Sequence, residues 1–254
     1  MRVNIVNRIV VAAGIGAVAL LGLNVSTYAT PQQGQTKQEQ QKNQQAQKKH
    51  DQAQAKQHQQ VLVDQQQQRL TQYRDHLYQQ ERLAQAQAAQ LQEQRRQAQY
   101  TVQQQYVARL HQQQLTVQRQ APASYGHDPY FSTPASVRYS RGGQFYETNQ
   151  YGVTLLRQAV NYGYDQGYRT GLADQHDHSI SNYEGSFAYQ DANYGYSGFY
   201  VDRDDYNNYF REGFHRGYED GYGGHHQYGT YVSGRGTILS AVLGGILNFQ
   251  VIVR

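Results

Sequence analysis

Glycine recurs at every fourth residue in two places along this chain, and each of these glycines precedes a large side chain. Gly163, Gly167 and Gly171 are followed by Tyr164, Tyr168 and Leu172; Gly213, Gly217 and Gly221 are followed by Phe214, Tyr218 and Tyr222. The triplets are offset by 50 residues, which makes them an internal repeat. On an α-helix a period of four lays the glycines along one slowly drifting column and the rings along the next, giving a groove flanked by an aromatic ridge. A glycine inside a helix costs ~1 kcal/mol relative to alanine. Three per helix therefore predict compensation by close backbone approach, with the other copy as the partner. Tyrosine buries a large ring and keeps a polar tip, so two such helices can build a core with few aliphatic residues. Asp165 with Arg169, and Glu212 with Arg216, are i, i+4 pairs in the favourable acid-first order. Asp204 or Asp205 is expected to cap the second helix. The competing reading of so much Gly and Tyr is flexible low-complexity chain; the strict spacing in both copies favours helix.

Ahead of this repeat the composition is different. There is no proline between Pro31 and Pro122 and no glycine between Gly34 and Gly126, and glutamine supplies 36 of the residues from 32 to 120. Gln, Ala, Leu, Arg and Glu are good or fair helix formers, so the summed propensity predicts one long helix. Residues 61–120 would span ~90 Å at 1.5 Å per residue. Val63, Leu70, Leu77, Ala84, Leu91 and Ala98 recur every seven residues, one column of a heptad. The second column is polar, and after Ala98 the stripe steps by four through Val102, Tyr106 and Leu110, so strict heptad phase is lost. The expectation is a weak coiled coil that self-associates, against the alternative of a single amphipathic helix only partly formed in the monomer. Residues 30–60, whose apolar side chains are alanines alone, read as disordered or frayed.

Two ends remain. Arg2 and Arg8 precede or open an apolar run from Ile9 to Leu23, followed by Asn24, Ser26 and Thr27-Tyr28-Ala29, the pattern of a secretory signal cleaved after Ala29. The run is shorter than the ~20 residues of a spanning helix, which argues against an uncleaved anchor. At the other end, Thr237 to Val253 is apolar but interrupted by Ser240, Gly244, Gly245, Asn248 and Gln250. It is expected to dock on the repeat helices, with peripheral membrane insertion as the alternative and Phe249–Val253 as a candidate short strand. Small residues four apart, Ser240 with Gly244 and Ala241 with Gly245, have the spacing that lets helices approach.

Charge divides the chain as composition does. Residues 30–120 carry 12 basic against 6 acidic side chains, whereas residues 121–254 carry 9 against 13. All five lysines (Lys37, Lys42, Lys48, Lys49, Lys56) lie in the first part. They suit contact with anionic lipid, polysaccharide or the acidic half of a neighbouring molecule, or are simply solvated; an envelope protein is a further candidate partner. Nucleic acid is an unlikely partner for an exported chain in which glutamine dominates over Lys and Arg.

Histidines follow both glycine triplets: His176 and His178 after the first, His225 and His226 after the second. If the helices run parallel the clusters meet at one end, where imidazole and carboxylate suit a divalent metal such as zinc, copper or nickel. The alternative is that they satisfy carbonyls at helix C-termini. Cysteine is absent, which removes lipoprotein attachment, disulfides and thiol nucleophiles. No nucleophile elbow, zinc-protease helix, phosphate loop or dinucleotide fingerprint is present, and no cofactor is implied.

The expected fold class is mainly α: a signal peptide (1–29), a disordered polar segment (30–60), a long Gln-rich helix forming a weak coiled coil (61–120), a linker (121–140), a small Tyr/Gly-rich helical module with two Gly-aromatic tetrad helices (141–236) and an apolar C-terminal segment (237–254). The expected role is that of an exported, non-enzymatic scaffold or interaction protein of the bacterial cell envelope. A periplasmic metal-binding protein and a secreted matrix component are the alternatives.

Overall fold

The computed structural model describes residues 35–119 and 128–253. The signal peptide, the start of the 30–60 segment and the first part of the 121–140 linker lie outside the described residues. The chain divides into two compact units, residues 1–50 and 51–254. Of the first, residues 35–50 are helical, with side chains exposed from Gln41 onward.

The architecture is mainly α. Helix α1 runs from Gln35 to Glu93, so residues 35–60, for which composition argued disorder or fraying, are helix. Uninterrupted helix formers are sufficient to extend it without an apolar face. The helix does not continue to residue 120. The chain turns at Gln94–Arg96 and resumes as α2, Gln97–Arg119, which folds back along α1: the Gln103 amide donates to the Ala84 carbonyl at 2.8 Å, and Gln113 donates to the Tyr73 hydroxyl. The expected rod is a helical hairpin.

The turn has the hydrogen bonds of a Schellman motif. The N–H of Arg96 bonds the Leu91 carbonyl at 2.9 Å and that of Arg95 bonds Gln92 at 3.1 Å. Arg95 holds the left-handed position, φ 59°, that such motifs normally give to glycine. With no glycine or proline to mark it, the turn is silent in the sequence.

The second half opens with a one-turn helix α3 (Pro129–Ser132) and a hairpin of β1 (Val137–Arg141) and β2 (Gln144–Thr148). Gly142 and Gly143 both have positive φ, 56° and 78°, as a two-residue hairpin turn requires. The expected linker boundary at residue 140 therefore falls inside a strand. A Gly-Gly pair between Tyr- and Val-containing runs is a hairpin signal, but the density of Gly and Tyr around it hid the alternation.

The first tetrad helix is α4 (Gln150–His176) and the second is α6 (Arg203–Gly223), with a short α5 (Phe187–Asp191) between them. After α6 come a hairpin of β3 (Gly229–Val232) and β4 (Arg235–Ile238), helix α7 (Ser240–Leu247), and β5 (Gln250–Val251), which pairs antiparallel with β1. The C-terminal segment thus docks on the module. Leu247 is buried, and Val242, Leu243 and Ile246 pack on the core. Its small residues do not mediate that packing, because Gly244 and Gly245 face open space. Among the described residues, no helix is long and apolar enough to cross a membrane.

Helices α4 and α6 run parallel in backbone contact. A Cβ at Gly163 would lie 1.9 Å from the Phe210 carbonyl oxygen, at Gly167 2.0 Å from that of Phe214, and at Gly171 2.3 Å from that of Tyr218. In return, Gly213 meets Val160, Gly217 meets Tyr164 and Gly221 meets Tyr168, at 2.0, 2.1 and 2.2 Å. Each contact is the 50-residue translate of its counterpart, so the pair has an internal two-fold relation like that of a symmetric dimer interface. The expected acid-first pairs form as well, Asp165 with Arg169 at 3.0 Å and Glu212 with Arg216 at 2.8 Å. The expected cap does not. Asp202 holds the N-cap position of α6, and Asp205 is buried inside the first turn, taking the Tyr139 hydroxyl at 2.7 Å and Arg141 at 3.0 Å.

Candidate functional site

Two kinds of polar site can be built from these elements, one closed and one open. The closed kind is a set of buried carboxylates, each holding a tyrosine. Tyr164 of α4 donates to Asp220 of α6 at 2.7 Å, and Tyr218 of α6 donates to Asp174 of α4 at 2.7 Å, so the tetrad helices exchange one hydroxyl each. Tyr106 of α2 donates to Asp191 at 2.6 Å. Asp220 also accepts the backbone N–H groups of Gln227, Tyr228 and Gly229 at 2.8, 3.0 and 3.2 Å, which ties the β3 entry to the helix end. Burial pushes the Asp174 carboxyl above its ordinary range, against the opposing pull of Tyr218 and Arg96. Burial likewise raises the hydroxyls of Tyr106, Tyr164 and Tyr218, with the facing carboxylates adding to the shift. A protonated hydroxyl against a carboxylate is a strong charge-assisted bond. These groups are fully engaged in holding the fold.

The glutamines act in the same way. Gln66, fully buried, donates to the Gly198 carbonyl and accepts the Tyr200 N–H at 3.3 Å. Gln113 donates to the carbonyls of Asn193 and Tyr196 and accepts the Gly195 N–H at 2.7 Å. An amide offers both donor and acceptor, so a few glutamines on the hairpin satisfy the irregular backbone of residues 193–200 that no strand or helix could pair.

The open site is a cleft of about 350 Å³ at the C-terminal end of α6, lined by Ser181, Tyr183, His215, Tyr218, Glu219, Tyr222, Gly223, His225, Gln227 and Tyr228. The α6 residues enter it from successive turns, His215, Tyr218, Glu219 and Tyr222, an i, i+3, i+4, i+7 set on one face. Tyr218 and Tyr222 stack with centroids 5.8 Å apart and planes within 9°, and Tyr183, from the loop before α5, covers His215 at 4.6 Å and reaches Tyr218 at 5.7 Å. Glu219 meets His215 at 3.2 Å, and its bond to Tyr228 raises that hydroxyl. Tyr183 is raised by partial burial and then by Glu184, Glu219 and Glu212. The cleft is therefore ring-walled with a negative field, and its volume lies at the lower end of the ~300–1,000 Å³ range of ligand pockets.

The histidines proposed as metal ligands are not assembled into one site. His176 ends α4 and is exposed, and His178 is exposed at a left-handed turn, φ 51°. His225 Nδ1 faces Asp220 at 3.4 Å, and His226 stacks on Tyr168 at 5.7 Å. Among the described residues, no group of three His, Cys, Asp or Glu side chains is placed to hold a metal ion. The helices are parallel, as the metal reading needed, but His176 and His178 are exposed, His225 faces Asp220 and His226 lies on a ring. Of the tetrad aromatics, Tyr164 and Phe214 are core, Tyr168 stacks on Tyr231 at 4.2 Å, and Tyr218 and Tyr222 wall the cleft. Nothing in the sequence marks Tyr183 or Tyr228 as site residues. The i, i+3, i+4, i+7 spacing from His215 was legible, but the covering loop was not.

Fold and site together describe a glycine-packed helical module clasped by a glutamine-rich hairpin and carrying a tyrosine cleft. Compared with known proteins, the chain matches no family model, no curated protein and no solved structure. The functional reading therefore comes from the chemistry of the cleft.

Proposed function

We propose that this is an exported, non-enzymatic interaction protein of the bacterial cell envelope whose contact site is the tyrosine cleft, and that the cleft takes a segment of neutral or amino-sugar polysaccharide. The observation that carries the reading is the set of rings Tyr183, Tyr222 and Tyr228 gathered around the carboxylate of Glu219 in a small cleft. Sugar C–H faces stack on such rings, and a carboxylate accepts sugar hydroxyl or ammonium protons. The carboxylates around Tyr183 disfavour uronate or phosphate polymers. Export is supported by the leader ending at Ala29. An interaction role also fits the buried carboxylates, which are occupied by tyrosine hydroxyls and backbone N–H groups.

The test uses chain recovered from the exterior or periplasm, with intact mass beginning at Thr30, in affinity electrophoresis against a neutral glucan, an amino-glycan and a uronic-acid polymer. The first two should retard the protein and Tyr183→Ala should lose most of that retardation. Equal mobility of wild type in all three gels would remove the polysaccharide reading.

A further inference from the structure

The connection between α1 and α2 is a place where local preference and tertiary structure disagree. From Gln35 to Arg119 there is neither glycine nor proline, and helix propensity favours running straight through Gln94–Arg96. Arg95 instead sits at φ 59°, where its Cβ crowds the carbonyl. The start of α2 lacks a cap of its own. Asp177, at the end of α4, supplies it from 79 residues away by accepting the N–H of Ala98 at 3.0 Å, and likewise takes that of Gln99 at 2.8 Å. Arg96 is held against buried Asp174 at 2.5 Å. The bend is imposed by the module.

Everything α2 contributes beyond the bend is independent of which chain it belongs to. Its seat on α1 and the module is made by Tyr106, Leu110 and Val117, all buried, and by Gln103 and Gln113. If residues 94–96 become helical, the N–H groups of Ala98 and Gln99 are satisfied within the helix at Gln94 and Arg95, and α2 leaves its own seat free for an identical segment. A short hinge under strain is the condition for exchange of an element between protomers.

We propose that α2 is exchanged between two copies of this chain: the hinge straightens into a continuous helix, and each copy's α2 fills the other's seat in a closed two-fold dimer. The partner is a second copy. The interface is the one α2 already makes, and it needs no contribution from the tyrosine cleft, so the polysaccharide test and this one fail independently.

The experiment is size-exclusion chromatography with light scattering on the full mature chain, refolded from urea over a range of concentrations. Wild type should yield monomer and a dimer of equal helix content. Arg95→Gly, which suits the left-handed hinge, should lower the dimerisation constant roughly tenfold per chain. Arg95→Ile, whose branched side chain is strongly excluded from that region, should raise it. The chain has no cysteine, and Tyr78 and Gln118 face each other across the two helices at an exposed position, so Tyr78→Cys with Gln118→Cys and a short bis-maleimide reports connectivity directly: linkage within one chain for the hairpin, between chains for the exchanged dimer. Wild type that stays monomeric at every concentration overturns the proposal, as does a dimer whose engineered cysteines still link within one chain.

Discussion

At the scale of single residues, the positions that define this protein are those where a side chain is missing. The six tetrad glycines each lie within about van der Waals reach of a carbonyl on the opposite helix, so even one methyl group would have to displace backbone. Displaced backbone is costlier than a displaced side chain, because a close-packed interior transmits the shift. Gly217→Leu, whose Cβ alone would stand 2.1 Å from the Tyr164 carbonyl oxygen, is expected to destabilise by about 3 kcal/mol or more. Thermal melting against wild type measures it, and an unchanged melt would mean that the helices do not rely on contact. The period of four made this contact legible before any coordinates, since both the need for compensation and the identity of the partner follow from two copies sharing one spacing. The identity of each tyrosine's partner did not follow. Nothing in the sequence sets Asp174 and Asp220 apart from the neighbouring Asp177 and Glu219, and only the parallel packing brings them opposite Tyr218 and Tyr164.

At the scale of elements, helix content was readable and helix ends were not. Propensity summed over dozens of residues gave α1 and α2 their secondary structure, but it carries no signal for the turn at Arg95, whose stabilisation comes from Asp174 and Asp177. Asp177→Ala should remove the cap that α2 lacks locally and cost about 0.5–2 kcal/mol. Amide exchange at Ala98 and Gln99 should accelerate while amides in the middle of α4 keep their protection. If exchange at those two positions is unaffected, Asp177 is not the cap. The β1–β2 hairpin is hidden for a different reason: its Gly142-Gly143 turn is a hairpin signal, but the tyrosines of its strands resemble the surrounding composition.

At the scale of the whole molecule, tyrosines share the core with the aliphatic side chains, and this gives the fold a characteristic response to base. Tyr106 on the hairpin, Tyr164, Tyr206, Tyr209 and Tyr218 on the tetrad helices, and Tyr200 in the connecting loop all have hydroxyls raised above their ordinary value, with burial as the main cause in each. Tyr200 and Tyr209 are pushed up to about 12. In the unfolded chain these groups ionise near 10, so above that pH the unfolded state binds fewer protons than the folded one. Stability is then fully present below pH ~10 and falls as pH rises from there toward the folded values. Because these buried tyrosines are spread over hairpin, loop and module, their share of the tyrosinate absorbance should appear in one step that coincides with the loss of helical circular dichroism, after the exposed rings have ionised. A gradual titration that leaves the helix signal intact would mean that the rings are not buried as one core.

The sequence by itself determined the mainly helical class, the two glycine-faced helices and their mutual packing, and the change of grammar between the glutamine-rich and tyrosine-rich halves. These follow from local periodicity and propensity, which are properties of residues a few positions apart. The tertiary structure alone decided that the long helix folds back on itself, that particular glutamines serve the backbone of residues 193–200, that His176, His178, His225 and His226 do not converge, and that Tyr183 closes a cleft over His215 and Glu219. Each of these depends on groups far apart in the chain. Glutamine in particular gives no advance notice, because the same side chain is solvated on one turn of a helix and is a buried donor and acceptor on the next, and only the neighbour that packs against it makes the difference.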